Sequence, residues 1–162
     1  MFAFPIRDAV DGDGPQIAAL IAAVFSEYPG CPFVPDEFPE LRAPASHYRR
    51  KGGGLWVMTG PEGEVVGSVA LSRVDGGPAF EINKVYLASG LRGGGHAHRL
   101  METAEAAALA GGGTELRLWT DTRFTRGHAF YEKLGFRRLP VVRYLADATR
   151  AWEFAYVRAI AR

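Results

Sequence analysis

Cysteine, net charge and long apolar segments are all scarce in this sequence of 162 residues. Cys31 is the only cysteine, which excludes an internal disulfide and fits a reducing compartment. The net charge of +1 gives no basis for non-specific binding to nucleic acid or to an anionic membrane. The longest apolar run, residues 17–25, is too short to cross a bilayer, and the N-terminus lacks the pattern of a secretory signal. We therefore predict a cytoplasmic protein without nucleic-acid or membrane partners.

The composition is that of an ordinary globular protein. Hydrophobic residues make up 48% of the chain and charged residues 23%, which excludes a disordered protein. The length is sufficient for one hydrophobic core, so we predict a single domain over residues 1–162. No cluster of potential ligands indicates a metal site. His96 and His98 are two positions apart at the start of a predicted helix, where their side chains diverge.

The periodicity of apolar residues predicts alternating strands and helices. Strands are predicted over residues 2–7, 55–59, 65–72, 81–87, 115–120, 136–144 and 152–157. Helices are predicted between Pro15 and Pro29, over residues 45–50, from Ala97 to the glycines at 111–113, and over residues 126–134. The order is β-α-(α)-β-β-β-α-β-α-β-β. It predicts a mixed α/β (α+β) fold in which an antiparallel run of strands leads to the central strand at 81–87.

Three runs of three glycines lie at residues 52–54, 93–95 and 111–113. The first precedes a predicted strand and the last follows a predicted helix, which is typical of simple turns. Only the run at 93–95 connects a strand to a helix. Glycine lets a backbone approach a ligand closely, and a helix N-terminus presents unpaired N–H groups and the positive end of the helix dipole. This turn is therefore predicted to bind phosphate.

The spacing around this turn separates three kinds of phosphate site. A P-loop requires a Lys followed by Ser or Thr after its last glycine, and the turn has neither. A dinucleotide-binding fingerprint that starts at Gly93 would place its final Gly or Ala at position 98, which is His98. The remaining pattern, Arg92-x-x-Gly95-x-Ala97, resembles the (Gln/Arg)-x-x-Gly-x-(Gly/Ala) signature of the GNAT superfamily of acetyl-CoA-dependent N-acetyltransferases.

A second segment, residues 128–136 with the sequence HAFYEKLGF, resembles the segment that ends many GNAT domains. It follows the Arg92 motif in the order typical of that family, and the two motifs together are far more specific than either alone. The resemblance covers essentially the whole chain and is strongest over residues 81–136. It implies the GNAT acyl-CoA N-acyltransferase fold, in which helices flank a central mixed, mostly antiparallel sheet. It also implies acetyl-CoA as cosubstrate and no metal.

The resemblance assigns coenzyme A binding to two segments. The end of the central strand, which parts from its neighbour in this family, would offer its backbone to the peptide-like pantetheine arm. The glycine turn would bind the pyrophosphate through backbone N–H groups. Gly94 stands where the family often has a basic residue, which predicts one phosphate contact fewer. The residues implied are Val85 and Leu87 on the strand, and Arg92, Gly93, Gly94, Gly95, His96 and Ala97 in the turn.

Tyr131 matches the position from which many GNAT enzymes place a phenol near the sulfur of coenzyme A. Acetyl transfer leaves a thiolate there. Because a phenol has a pKa near 10 and a thiol about 8.5, complete proton transfer from Tyr131 is uphill by roughly 1.5 pH units, or about 2 kcal/mol. We therefore expect Tyr131 to stabilise the thiolate chiefly through a hydrogen bond. The alternative is a half-buried aromatic residue on an amphipathic helix.

Glu81 lies eleven positions before Arg92, an offset at which some family members have a general base. Alternation along the strand predicts that Glu81 shares a face with Asn83, Val85 and Leu87. An ammonium acceptor has to lose a proton before attack, and a carboxylate could accept that proton through water. The alternative is a cross-strand ion pair at the sheet surface. Many GNAT enzymes have no single essential base.

Three further residues have weaker signals. Cys31 lies in a proline-flanked loop without a nearby histidine and is interpreted as a loop residue rather than a nucleophile. His128 precedes Tyr131 by three residues on the same predicted helix and is expected to face solvent. Asp121 is expected to cap a turn or the following helix, with contact to an amine substrate as the alternative.

Three functions remain open from the sequence. The first is transfer of acetyl from acetyl-CoA to a primary amine of a small molecule, peptide or protein by direct attack, without a covalent intermediate. The second is a non-catalytic acyl-CoA-binding sensor or scaffold. The third, a nucleotide-binding protein unrelated to coenzyme A, depends only on the glycine turn. Residues 29–54 and the turn around Gly76 are expected to shape the acceptor pocket, in a monomer or a homodimer.

Overall fold

The computed structural model describes residues 3–160, which form one seven-stranded sheet with α-helices on both faces. The strands are β1 (Ile6–Asp8), β2 (Gly54–Thr59), β3 (Val65–Arg73), β4 (Ala79–Leu87), β5 (Glu115–Asp121), β6 (Arg137–Tyr144) and β7 (Trp152–Ala159). The helices are α1 (Gly14–Phe25), α2 (Pro44–Arg50), α3 (His96–Ala110) and α4 (Thr125–Lys133). The strand order is β1-β2-β3-β4-β5-β7-β6. Strands β4 and β5 are parallel and the other neighbouring pairs are antiparallel.

This architecture confirms the predicted fold class, a mostly antiparallel mixed sheet flanked by helices. The predicted pairing of the last two strands is also observed. The first strand is shorter than the predicted 2–7, because it begins only at Ile6, where pairing with Met58 starts. Phe2 lies outside the described residues.

Two hydrophobic cores lie on opposite faces of the sheet. Helix α3 packs on one face, where Leu100, Met101, Ala104 and Ala108 are buried against β3 and β4, as the sequence periodicity predicted. Helices α1 and α2 pack on the other face and contribute Ile17, Ile21, Ala45 and Tyr48 to the second core. Strand β4 therefore contacts a separate layer of side chains on each face.

The parallel pair β4–β5 separates halfway along its length. Pairing runs from Ala79 with Glu115 to Ile82 with Leu118 and stops there, whereas β4 stays paired with β3 as far as Leu87. The edge of β4 that faces β5 therefore carries no strand partner over residues 83–87. Unpaired N–H and C=O groups on such an edge can pair with an extended ligand.

A β-bulge at Lys84 reverses the side-chain alternation in the same stretch. Lys84 has φ +55°, and three residues of β4 span the place of two residues of β3. The hydroxyl of Ser68 donates a 2.6 Å hydrogen bond to the Lys84 carbonyl oxygen. The prediction that Glu81 shares a face with Val85 and Leu87 is therefore wrong. Val85 and Leu87 join the core under α3, whereas Glu81 lies on the other face with Asn83.

Within residues 3–160, no helix is both long and apolar enough to cross a membrane. Nor does the described part of the chain bring three or more His, Cys, Asp or Glu side chains together as a metal site.

Candidate active site

The gap between β4 and β5 opens into two cavities. The first has a volume of about 480 Å³ and lies between the end of β4, the glycine turn and α4. It brings together most of the residues predicted to bind the cosubstrate. Those that line it are Val85, Leu87, Arg92, Gly93, Gly95, His96 and Ala97, together with Tyr131. Gly94 belongs to the same turn but is not among the lining residues.

Two glycines of the turn have a left-handed backbone conformation. Gly93 and Gly95 have φ of +84° and +79°, a left-handed conformation that side chains disfavour. A Cβ at either position would meet no atom within 4 Å, so backbone conformation rather than crowding requires glycine here. Helix α3 starts directly after Gly95, so its first N–H groups have no partner inside the helix. The buried Nδ1 atom of His96 has no hydrogen-bond partner among the described residues.

Cationic side chains concentrate at the glycine end of this cavity. Arg92, Arg126 and Lys133 all line it. Glu27, just after α1, accepts hydrogen bonds of 2.5 and 2.9 Å from Arg92 and one of 3.2 Å from Arg126. These bonds lower the pKa of Glu27 and keep it ionised. One carboxylate thus holds two guanidinium groups beside the turn, an arrangement suited to an anionic ligand with several phosphates.

The second cavity, of about 230 Å³, lies on the opposite side of the gap. Its wall includes Phe38 from the predicted 29–54 loop, but the turn around Gly76 contributes no residue to it. Instead, the turn between β6 and β7 contributes Leu145, Asp147 and Thr149. A role of the turn around Gly76 in an acceptor pocket stays a prediction, without support from this cavity. Five residues line both cavities: Val85, Tyr86, Thr120, Phe124 and Tyr131.

Tyr131 lies at this junction, at the end of the second turn of α4. It is buried, with 8% of its surface exposed, and its hydroxyl has no hydrogen-bond partner within residues 3–160. Burial, together with the nearby Tyr86, raises the pKa of Tyr131 far above its ordinary value. Tyr86 faces the same junction, and burial raises its pKa to about 12. Both phenols are therefore protonated hydrogen-bond donors at neutral pH.

Glu81 lies outside both cavities. It is paired with Ser72 on β3 and with Arg117 on β5, in the part of β4 that is still hydrogen-bonded to β5. Its Oε2 atom accepts a 3.1 Å hydrogen bond from the Asn83 side chain. The role of Glu81 as a general base stays a prediction, without support from its position.

Lys84 is a cavity residue that the sequence analysis missed. Its ammonium group lies 2.7 Å from Glu40 and above the rings of Phe38 and Tyr48, at 5.5 and 5.9 Å from their centroids. Burial by itself lowers the pKa of Lys84, but Tyr48, Tyr86 and Glu40 outweigh it and raise the pKa. The adjacent polar residues Asn83 and Lys84 interrupt the alternation of this strand, which is a signal of an irregularity but does not specify the face of the residues that follow.

His128 and Asp121 connect α4 to the end of β5. His128 is 7% exposed, so the expectation that it faces solvent is wrong. Its Nε2 lies 2.9 Å from the Asp121 carbonyl oxygen, so Nε2 carries the proton in this contact. The Asp121 carboxylate accepts bonds from the backbone and side chain of Arg123, as expected for a turn residue. Cys31 is buried, and burial raises the pKa of its thiol, which does not favour a nucleophile.

Solved structures share this fold over nearly the whole chain. A GNAT-family acetyltransferase from Staphylococcus aureus Mu50 has a TM-score of 0.83 at 18% identity, with 98% of this chain and 99% of that one covered. An acetyltransferase from Streptococcus agalactiae 2603 has a TM-score of 0.83 at 22% identity, covering 99% and 100%. A GNAT phosphinothricin acetyltransferase from Sinorhizobium meliloti, solved in complex with AcCoA, has a TM-score of 0.75 at 17% identity, covering 99% and 90%.

The curated proteins include no significant match to this chain. The model of the acetyltransferase (GNAT) family matches residues 21–136, from within α1 to the residue before β6. This range contains the glycine turn, the separated strands and Tyr131. The chain belongs to the GNAT family of acetyltransferases.

Proposed function

We propose that this protein transfers the acetyl group of acetyl-CoA to a primary amine by direct attack. The observation that carries the proposal is the position of Tyr131, a buried phenol at the junction of the two cavities. One cavity has cationic residues in its wall, as expected for a site that binds a phosphate-bearing cosubstrate. The other provides a separate route for an acceptor to the same point.

The residues of the first cavity fit coenzyme A. The open glycine turn, the unpaired N–H groups at the start of α3 and the cations Arg92 and Arg126 suit a pyrophosphate. The unpaired edge of β4 at Val85 and Leu87 suits the amide groups of a pantetheine arm. Bound acetyl-CoA supplies the activated acetyl group.

Tyr131 stabilises the leaving thiolate by donating a hydrogen bond. Its raised pKa means that the phenol keeps its proton at neutral pH, so an ordered donor is present throughout turnover. Complete proton transfer to the sulfur is more unfavourable than for an ordinary phenol, since the thiol pKa is about 8.5. The thiolate therefore receives its proton as or after it leaves.

The acceptor is a small-molecule or peptide amine that enters through the second cavity. Its volume of about 230 Å³ is sufficient for one side chain or one small molecule. The cavity has both aromatic and carboxylate residues in its wall, which suits the apolar body and the ammonium group of a primary amine.

Thermal unfolding in the presence of acetyl-CoA, with NAD as a control, tests cosubstrate binding. At a hundred times its dissociation constant a ligand adds about 2.7 kcal/mol to the free energy of unfolding. For this chain length the melting temperature should rise by roughly 5–11 °C with acetyl-CoA and stay unchanged with NAD. A rise with NAD alone would identify a different nucleotide site.

A panel of primary amines then tests transfer, with release of the coenzyme A thiol as the readout. Amine-dependent thiol release is expected for at least one small amine or peptide. Binding of acetyl-CoA without release for any amine would instead identify a non-catalytic acyl-CoA-binding module.

A further inference from the structure

We infer that Glu153 on β7, rather than Glu81 on β4, is the carboxylate that binds the ammonium group of the acceptor and takes up its proton. The inference rests on the proposed acetyl transfer and assigns the acceptor to one class. That class is a monocationic primary amine with a compact apolar body.

The position of Glu153 is the first argument. It lies opposite Asp121 on β5 and Arg143 on β6, and it lines the second cavity together with Tyr131. Its side chain is 15% exposed. Arg143 donates a 2.8 Å hydrogen bond to Oε1, whereas Oε2 has no hydrogen-bond partner among residues 3–160. One oxygen is therefore anchored and the other is available to an ammonium group in the cavity.

The charge of the cavity wall is the second argument. Three carboxylates, Asp121, Asp147 and Glu153, line it against one cation, Lys84. Lys84 is neutralised by Glu40 at 2.7 Å, so it does not offer a free charge to a carboxylate ligand. Asp121 and Glu153 are likewise paired, with Arg123 and Arg143, so Asp147 is the carboxylate of this wall that has no cationic partner among residues 3–160. This one excess negative charge favours a cationic acceptor over an anionic or zwitterionic one.

The other two carboxylates of this wall are placed differently. Asp121 accepts three bonds from Arg123 on both of its oxygens. Asp147 accepts bonds from Thr149 and Ala151 on Oδ1 alone, but it lies in the turn between β6 and β7, whereas Glu153 lies on a strand that is paired on both sides. The apolar part of the acceptor would contact the aromatic residues Phe25, Phe38, Trp119 and Phe124 in the same wall.

The charged and titratable groups around Glu153 determine its basicity. Burial raises the pKa of Glu153, Arg143 lowers it, and Asp121 and Asp147 raise it further. Lys84 and Tyr86 face the same cavity from β4. The balance makes Glu153 a stronger base than an exposed glutamate, which improves its match to an ammonium group at neutral pH.

The acceptor nitrogen loses two protons in the proposed reaction. The ammonium group gives one proton to Glu153, which later passes it to water. The lone pair of the neutral amine attacks the thioester carbon, the C–N bond forms and the C–S bond breaks. The sulfur leaves with the electron pair of that bond, stabilised by Tyr131. The second proton lost by the nitrogen ends on the sulfur, and the products are an amide, the thiol of coenzyme A and one proton in solution.

Two nucleophiles that differ in protonation test whether Glu153 removes a proton from the acceptor. The first is the alkylamine of the panel that gives the highest turnover, which is protonated at neutral pH. The second is hydroxylamine, which is mostly neutral at pH 7 and attacks without prior deprotonation. We expect E153Q to lower kcat/KM for the alkylamine at pH 7 by about 100-fold. For E153Q, kcat/KM for the alkylamine should rise about tenfold for each unit of higher pH, because the free amine becomes more abundant. With hydroxylamine, E153Q should change kcat/KM by less than about threefold.

Three comparisons make this test specific. E115Q changes a glutamate at the start of β5, outside both cavities, and should retain wild-type turnover. R143Q removes an exposed cation that lowers the pKa of Glu153, so it should move the acid limb of kcat/KM to higher pH. An unchanged acetyl-CoA-dependent rise in melting temperature shows that each variant is folded.

The outcomes are distinguishable. If E153Q turns over the alkylamine as fast as the wild type, the inference is overturned and the proposed function is unaffected. The same holds if R143Q leaves the acid limb of kcat/KM at its wild-type pH. Loss of turnover in E81Q with E153Q unaffected assigns the base to Glu81 instead. Higher turnover with amino acids than with simple amines overturns the acceptor class. No turnover by the wild-type protein with any amine rejects the proposed function itself.

Discussion

Tyr131 provides a direct test of the proposed chemistry at the scale of one residue. Y131F removes the only polar atom of the side chain and keeps the ring that packs against Phe136 and Tyr156. A hydrogen bond to a charged group contributes about 1.5–3 kcal/mol, so kcat should fall by roughly 10- to 150-fold. The melting temperature should stay close to that of the wild type. Thiol release under saturating acetyl-CoA measures the effect.

Y144F is the matched control for that substitution. Tyr144 is 47% exposed on the edge strand β6 and lines neither cavity. Its loss of a hydroxyl should leave kcat unchanged. Equal kcat in Y131F and wild type would remove Tyr131 from the chemistry and leave it as a packing residue.

The buried ion pair of Lys84 and Glu40 predicts how the substitution of a single residue changes stability. Their side chains are 11% and 15% exposed, so E40Q leaves an ammonium group largely buried without its carboxylate. Removing one partner of a buried pair costs about 3–5 kcal/mol, and the melting temperature should fall by roughly 6–20 °C. The double variant E40Q/K84M should lose less than the sum of the single losses.

An exposed ion pair provides the comparison for E40Q. Glu102 pairs with His98 on the surface of α3, where its side chain is 65% exposed. E102Q should change the free energy of unfolding by less than about 1 kcal/mol. Similar losses in E40Q and E102Q would show that burial does not strengthen the Lys84–Glu40 pair.

The β-bulge of β4 is the feature of greatest consequence at the scale of elements. Ser68 on β3 is fully buried and bonds the Lys84 carbonyl oxygen, so S68A leaves a buried acceptor without its donor. The cost should be about 1–3 kcal/mol in the free energy of unfolding by urea. Ser72, also buried on β3, makes no side-chain hydrogen bond within the described chain, and S72A should cost less. Equal costs would show that the bond does not support the bulge.

The same bulge marks the limit of prediction from the sequence at this scale. Element types and most boundaries follow from local periodicity and turn residues, and the helix from His96 matches its apolar pattern closely. The face of Val85 does not follow, because alternation assumes an unbroken strand and the left-handed Lys84 inserts one extra residue. The glycine turn was predictable since its residues are consecutive. Glu153, Lys84 and Tyr86 meet only through long-range pairing.

At the scale of the whole molecule, the order of the strands explains why one half of the site was predictable. The predicted phosphate-binding part of the first cavity is formed by the end of β4, the glycine turn and the start of α3, which are contiguous in the chain. The second cavity combines β4 with the β6–β7 turn, which the strand order β5-β7-β6 brings alongside. Nothing local in residues 145–153 indicates this neighbour, whereas Glu81 was predicted as the base from its offset of eleven residues before Arg92.

Paired carboxylates also predict how the whole molecule responds to acid. Arg7 donates two 2.8 Å hydrogen bonds to Asp13, and the Val10 N–H donates a third, which lowers the pKa of Asp13. Arg92 lowers the pKa of Glu27 in the same way. A lowered carboxylate pKa stabilises the fold above the unfolded-state value, near 4, and that stability is lost as the pH falls through the lower folded-state pKa. Glu153, with a raised pKa, acts in the opposite direction: its contribution is present at low pH and lost as the pH rises.

Three carboxylates, Asp11, Asp13 and Glu27, have a lowered pKa, and Glu153 has a raised one. We therefore expect a net loss of stability below about pH 4. D13N should lower the free energy of unfolding at pH 7 by about 1.5–3 kcal/mol, because a charged acceptor of three bonds becomes neutral. The difference from wild type should shrink as the pH falls below 4, since protonation removes the same charge. D75N, in an exposed turn without an ion-pair partner among residues 3–160, should follow the wild-type curve at every pH. Urea unfolding of the wild type, D13N and D75N between pH 3 and 7 measures these differences. If the difference between D13N and the wild type is the same at every pH, the charge of Asp13 does not produce the acid sensitivity.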